Sequence, residues 1–245
     1  MAKRTHPPEP RIERREHEWA VEIARFTAGW GVRMIFPNLD LQLARGRTTA
    51  LVGPAGSGKS VLLDLLERMT TTGLDVNLGF DGTPWWIGNV ATSLTSCAHM
   101  AERGDDEAPL GELLEQFGVE AAALAAWLPE LAAREAWLER TPSELPAALA
   151  RLARFRMVSL APAELLLFDE PTKALDDESA RRVENVLLEL RGARTCVVAT
   201  HHHALVRAIS DEVLTMMDGE IIEKSTVATF AESSHSWTRE WLARG

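Results

Sequence analysis

With 245 residues, 46% of them hydrophobic and 25% charged, the chain has the makeup of a globular protein with one large core, or a core and a small second lobe. Its net charge of −10 excludes a non-specific grip on nucleic acid, which needs clustered Lys and Arg. No apolar run reaches the length of a membrane span, and Cys97 and Cys196 lack metal-ligand spacing, so a reducing, cytoplasmic setting is expected.

Residues 1–18 mix Pro with both charge signs and are expected to form a mobile tail, followed by one domain over 19–245. From Trp19 onward, short β-like runs (AVEIARF, VRMIF, LDLQL, TTALV) are separated by Gly29, Gly31, Pro37 and Arg45-Gly46-Arg47, a strand-rich lobe. Residues 74–80 (LDVNLGF) carry a further, weaker strand signal, ahead of Trp85-Trp86-Ile87, which suits either a docking patch or core packing. Residues 93–138 are rich in Ala, Leu and Glu with Pro109 and Pro129 as punctuation, and a helix is expected from Ser143 through Leu160, so a helical subdomain spans about 93–160. Residues 165–168 (LLLF) and 195–200 (TCVVAT) are short apolar runs of the kind buried on both faces of a parallel sheet. Helices are expected over 179–191 and 204–209, and a hairpin over 211–223 turning at Asp218-Gly219.

Between the fourth β-run and a helical stretch stands Gly53-Pro54-Ala55-Gly56-Ser57-Gly58-Lys59-Ser60, a full match to G-x-x-x-x-G-K-[ST]. A strand feeding a glycine-rich loop that opens a helix makes a phosphate cradle. Backbone N–H groups and the helix N-terminus face the β-phosphate, Lys59 spans the β- and γ-phosphates, and the Ser60 hydroxyl binds Mg²⁺. The chain is therefore expected to bind a nucleoside triphosphate. The run at 165–168 ends in Asp169-Glu170. Asp169 is the expected second Mg²⁺ ligand, and Glu170 the base that positions and deprotonates the attacking water.

The segment Leu166-Leu167-Phe168-Asp169-Glu170-Pro171-Thr172-Lys173-Ala174-Leu175-Asp176 resembles the Walker B and D-loop of ABC-type ATPases, and Val197-Val198-Ala199-Thr200-His201 resembles their switch segment. The resemblance covers roughly residues 20–245 and implies an α/β P-loop NTPase fold of ABC type: a mostly parallel core sheet, a small antiparallel β lobe and a helical subdomain. It further implies ATP and Mg²⁺ as ligands, Glu170, His201 and Lys59 as catalytic groups, and nucleotide contacts from Gly53 through Val61. Trp30 falls where the family places an aromatic beneath adenine, and Asp176 and Ser143 fall at positions that face the opposite subunit's nucleotide. Partners implied are a transmembrane permease on a separate polypeptide and a second ATPase subunit, identical or different, at the cytoplasmic face of the membrane.

Two motifs depart from the family. The signature Leu-Ser-Gly-Gly-Gln reads here as Pro142-Ser143-Glu144-Leu145-Pro146, keeping Ser143 and losing both glycines; Ser143 also suits a plain helix N-cap. The Q-loop Gln is replaced by Asp81 if Gly79-Phe80-Asp81 is aligned, or by Gly82 if Pro84-Trp85 is; Asp81 is preferred because a carboxylate still reaches Mg²⁺. Within the family, Thr49 to Pro54, Glu67-Arg68-Met69 and Gly219 to Glu223 resemble phosphate-type importers, making phosphate or a similar solute the expected cargo. The alternatives are the degenerate half of a heterodimeric ATPase pair, and a soluble ABC-type ATPase that uses ATP as a dimerisation switch.

Overall fold

The computed structural model describes residues 12–13, 19–30, 32–71, 84–92, 94–101 and 107–243. In chain order the first elements are β1 (Ile12–Glu13), β2 (Trp19–Trp30), β3 (Arg33–Ala44), β4 (Thr48–Val52), α1 (Lys59–Thr71), β5 (Pro84–Thr92) and β6 (Cys97–Met100). Then come α2 (Leu110–Phe117), α3 (Ala121–Trp127), α4 (Pro129–Ala132), a 3₁₀ turn (Pro142–Glu144) and α5 (Ala147–Leu160). The remainder is β7 (Leu165–Asp169), α6 (Asp177–Leu190), β8 (Thr195–Ala199), α7 (His203–Ile209), β9 (Glu212–Met217), β10 (Glu220–Thr226), α8 (Val227–Phe230) and α9 (Ser236–Ala243).

A six-stranded sheet, ordered β10-β9-β4-β8-β7-β6, is parallel except for the β9–β10 hairpin. Every residue of β4, β7 and β8 is buried, as continuous apolar runs in a doubly covered parallel sheet require. Alternate residues of β7 serve opposite faces. Leu165 and Leu167 join α1 and the second sheet, while Leu166 and Phe168 pack against the helical side with Leu149, Phe155 and Val183. The second sheet, β1-β5-β2-β3, is the antiparallel lobe, with only β1 joined in parallel.

The sequence reading needs correction at four places. Ile12–Glu13, inside the expected tail, pair with Val90 and Ala91 of β5; two residues of backbone pairing leave no periodicity to read. Pro37 lies within β3 instead of ending it. β3 is an edge strand with irregular register around Phe36 and Leu39, so the missing N–H costs no ladder bond, and the Pro37 carbonyl accepts from the Thr27 hydroxyl at 2.8 Å. Cys97–Met100, expected to be helical, is a core strand paired with Leu165–Phe168. Among the described residues, helices of that stretch begin only at Leu110. Ser143 does not cap α5; Pro146 does, after the 3₁₀ turn. The strand signal at 74–80 lies outside the described residues.

The Asp218-Gly219 hairpin is as expected, with Met217 opposite Glu220. Gly219 has φ +84°, and a Cβ there would stand 1.9 Å from the Ile35 carbonyl oxygen. Gly219→Ala is therefore expected to cost about 1–3 kcal/mol from the left-handed backbone alone, with the clash added. Thermal unfolding of the variant measures this, and a midpoint equal to wild type would refute it.

Candidate functional site

Three strand ends of the parallel sheet converge. Leu51 of β4 and Asp169 of β7 both stand opposite Ala199 of β8, so whatever follows these residues emerges side by side at the carboxyl edge. From β4 comes the glycine-rich loop, from β7 comes Glu170, and from β8 come Thr200 and His201.

The loop wraps tightly. The Ser57 N–H donates to the Pro54 carbonyl at 3.2 Å, and the Gly219 N–H donates to the Ser57 carbonyl at 3.0 Å, which ties the loop to the β9–β10 hairpin. A Cβ on Gly53 would lie 2.1 Å from the Met216 carbonyl oxygen, so only glycine permits this approach. The Lys59 ammonium donates to the carbonyls of Gly53 and Pro54, each at 2.9 Å, and so lies across the loop's concave side. Gly56 through Val61 line a cavity of about 370 Å³ whose other walls include Arg33, Met34, Asp218 and Gly219. Trp30 pairs through its backbone with Arg33 and Pro84, at the lobe end nearest this cavity.

Asp169 closes β7 and is almost fully buried. Glu170 has φ +48°, a backbone conformation uncommon for a residue with a side chain, and its surroundings hold it there. Its N–H donates to the Ala199 carbonyl at 2.8 Å, and its carbonyl accepts from the Arg151 guanidinium at 2.7 Å. One carboxylate oxygen lies 2.8 Å from His201 Nδ1, and the other accepts from the Thr200 hydroxyl at 3.3 Å. Glu170 is thus a buried, oriented carboxylate with an exposed imidazole at its mouth. Sequence reading missed Thr200 and Arg151. Thr200 adjoins a recognisable strand, but nothing in the pattern of α5 distinguishes Arg151 from a solvated helix residue.

Asp176 caps α6, accepting from the Ser179 N–H at 2.8 Å, which holds its carboxyl below the usual range. The Ser143 hydroxyl is 2.8 Å from that of Thr141, and Glu144 accepts from the Thr141 N–H at 2.8 Å. Those bonds keep the Glu144 carboxyl ionised to lower pH than usual and close the 3₁₀ turn with a capping box. Leu145 keeps negative φ, as expected without glycine, and is buried. Of the three consecutive histidines, His201 alone meets Glu170, while His203 stacks on Trp241 at 3.6 Å. Burial pushes both cysteine thiols up, Cys196 to about 12.

Asp81 and Gly82 lie outside the described residues. β5, the next described strand, belongs to the antiparallel lobe, whereas the core strand beside β7 is β6. Met100 stands opposite Phe168, so Ala101 comes out next to Asp169. The chain leaving the core sheet beside the acidic strand end starts at Ala101.

A triphosphate with Mg²⁺ fits the residues present. The cradle excludes Cβ atoms at Gly53, its cation faces inward, and the first turn of α1 leaves N–H groups without intrahelical acceptors. Ser60 and Asp169 are hard oxygen donors of the kind Mg²⁺ prefers.

The family model for ABC transporters matches residues 36–173. The arginine transport ATP-binding protein ArgV of Corynebacterium glutamicum is 29% identical over 230 residues, covering 84% of this chain and 90% of its own length. The L-cystine transport system ATP-binding protein TcyN of Escherichia coli is 27% identical over 246 residues, covering 92% and 98%. An ATP-dependent lipid A-core flippase of Vibrio vulnificus is 26% identical over 241 residues, which are 93% of this chain and 41% of the flippase. Among solved structures, an ATP-binding subunit of an ABC transporter superposes with TM-score 0.67 at 17% identity over 92% of this chain and 98% of its own. A bacterial Atm1-family ABC exporter with ATP bound superposes with TM-score 0.73 at 18% identity, over 98% of this chain and 44% of the exporter. With the family match running from inside β3 past the acidic end of β7, the chain belongs to the ABC transporter family, as an ATP-binding domain that couples ATP hydrolysis to transport.

Proposed function

We propose that this chain is the ATPase subunit of an importer for amino acids or similarly small polar solutes, acting on a separate permease at the inner face of the cell membrane. The observation that carries the reading is coverage: ArgV and TcyN are matched over 90% and 98% of their lengths, but the flippase over 41%. The amino-acid relatives support this cargo over the phosphate expected from short sequence words. In this reading Gly53 through Val61 cradle the phosphates, Lys59 balances their charge, and Trp30 stacks on adenine. Ser60 and Asp169 hold Mg²⁺, which when bound draws charge off the β- and γ-phosphates. Glu170 takes a proton from the attacking water, Thr200 and Arg151 keep it aimed, and His201 contacts the γ-phosphate. Asp176 and Ser143 face the nucleotide of the opposite subunit in a head-to-tail dimer. The test is uptake by vesicles holding the chain with its permease, supplied with arginine, cystine, glutamate or phosphate. ATP-dependent accumulation of an amino acid is expected; accumulation of phosphate alone, or export, would overturn the reading.

A second reading, that the chain is the weaker member of an unequal ATPase pair, is favoured by the closed turn at Thr141–Glu144. Glu144 points its charge and its hydrogen bonds at its own chain, and Leu145 has no glycine freedom. The lone wild-type chain is expected to turn over slowly. Since one missing preorganised donor costs about 10²–10³ in rate, the Glu144→Gly, Leu145→Gly double variant is expected to be at least about tenfold faster. Equal steady-state rates would show that the turn does not limit hydrolysis.

A further inference from the structure

One cluster of ligating side chains lies outside the nucleotide cleft. Asp64 and Glu67, three residues apart, share one face of α1, and His99 of β6 faces them. His99 Nδ1 is 2.9 Å from a Glu67 carboxylate oxygen and 3.6 Å from one of Asp64. The His99 side chain is 3% exposed, whereas those of Asp64 and Glu67 are 39% and 41% exposed. The ring is therefore fixed in the protein while the carboxylates open to solvent.

We propose that Asp64, Glu67 and His99 form a binding site for a divalent transition-metal ion, with Zn²⁺ as the expected occupant. Ligand atoms about 2.0–2.2 Å from Zn²⁺ at tetrahedral angles lie about 3.4 Å from one another; the two separations from His99 Nδ1 are close to that, and all three ligand atoms lie within 4.8 Å of one another. One imidazole and two carboxylates suit Zn²⁺ and its first-row neighbours better than Mg²⁺. His99 Nε2 is buried with no hydrogen-bond partner among the described residues, so no donor on that side obliges Nδ1 to carry the proton. A ring protonated on Nε2 turns the Nδ1 lone pair toward two carboxylates, an arrangement that a cation between them completes. Cys97, two residues before His99 on the same strand, is not part of the cluster, which leaves solvent the fourth position.

Place gives the site a consequence. Asp64 stands about one helical turn beyond Ser60, and β6 ends beside Asp169. An occupied site pins the helix that opens from the phosphate loop to the strand next to the acidic strand end. The proposal does not depend on the cargo or the partner of the ATPase.

The test is calorimetric titration of Zn²⁺ into the full chain, stripped by chelator and held in excess Mg²⁺, with Co²⁺ as a coloured substitute. One Zn²⁺ site is expected, with visible Co²⁺ absorption that Zn²⁺ displaces, and a thermal midpoint that rises on adding Zn²⁺. Asp64→Asn and Glu67→Gln keep shape at half-exposed positions, and each is expected to weaken Zn²⁺ binding by about tenfold or more. Both should unfold like wild type without metal. His202→Ala is expected to leave binding unchanged. Wild-type Zn²⁺ affinity in both the Asp64→Asn and Glu67→Gln variants, absence of a Zn²⁺ site in wild type, or loss of the site in His202→Ala would each overturn the proposal.

Discussion

Replacing Lys59 with Ala is expected to remove ATP turnover to background, a loss of at least about 10²-fold, and to weaken ATP binding sharply. The ammonium lies across the inside of the loop, held by the carbonyls of Gly53 and Pro54. Bound phosphate oxygens offer it a stronger, charge-assisted set of acceptors, so the side chain exchanges carbonyls for phosphates at little cost in reorganisation. Alanine deletes the one cation the loop itself carries and leaves the triphosphate charge to backbone dipoles. It also frees the two carbonyls, which a shift in thermal midpoint would register. Lys59→Arg is a useful companion, since it retains charge but brings a planar fork into a space shaped for a compact ammonium, and it is expected to fall between the two. Steady-state hydrolysis and equilibrium ATP binding check the result together. Wild-type turnover in Lys59→Ala would remove the loop from the chemistry.

Glu170→Gln is the second large effect, and it separates binding from hydrolysis. The amide fills the same volume and keeps both local contacts. Its nitrogen can donate where the carboxylate accepted, while the Thr200 hydroxyl and His201 Nδ1 can each reverse role. The backbone strain at φ +48° is untouched, because the Ala199 carbonyl and the Arg151 guanidinium hold main-chain atoms. Only basicity is lost. ATP should bind with near-normal affinity and persist, with turnover lowered about 10²–10⁴-fold, the range general-base catalysis supplies. Because hydrolysis is what releases the two subunits in the proposed dimer, the variant with ATP is expected to elute at twice the monomer mass in size-exclusion chromatography. A wild-type rate in Glu170→Gln would assign the base elsewhere.

Sequence alone determined the elements whose signals are local. The phosphate loop was legible because glycine spacing, Lys59 and Ser60 are a chemical requirement within eight adjacent residues, flanked by a strand and a helix of ordinary pattern. β7 and β8 were legible because a strand covered on both faces must be apolar throughout, and the hairpin at Asp218-Gly219 because its turn demands positive φ. What sequence could not decide were facts of pairing. Cys97–Met100 carries no strand signature of its own; it is a strand because β7 offers it an open edge and α1 covers it. Pro37 is tolerated in β3 only because the sheet ends there. The contacts that make Glu170 a candidate base, from Thr200, His201 and Arg151, join residues distant in sequence, and so does the meeting of His99 with Asp64 and Glu67. Local propensity acts over a few residues along the chain, whereas strand order is set by which apolar faces can be buried together, and only the folded sheet brings those groups within bonding distance.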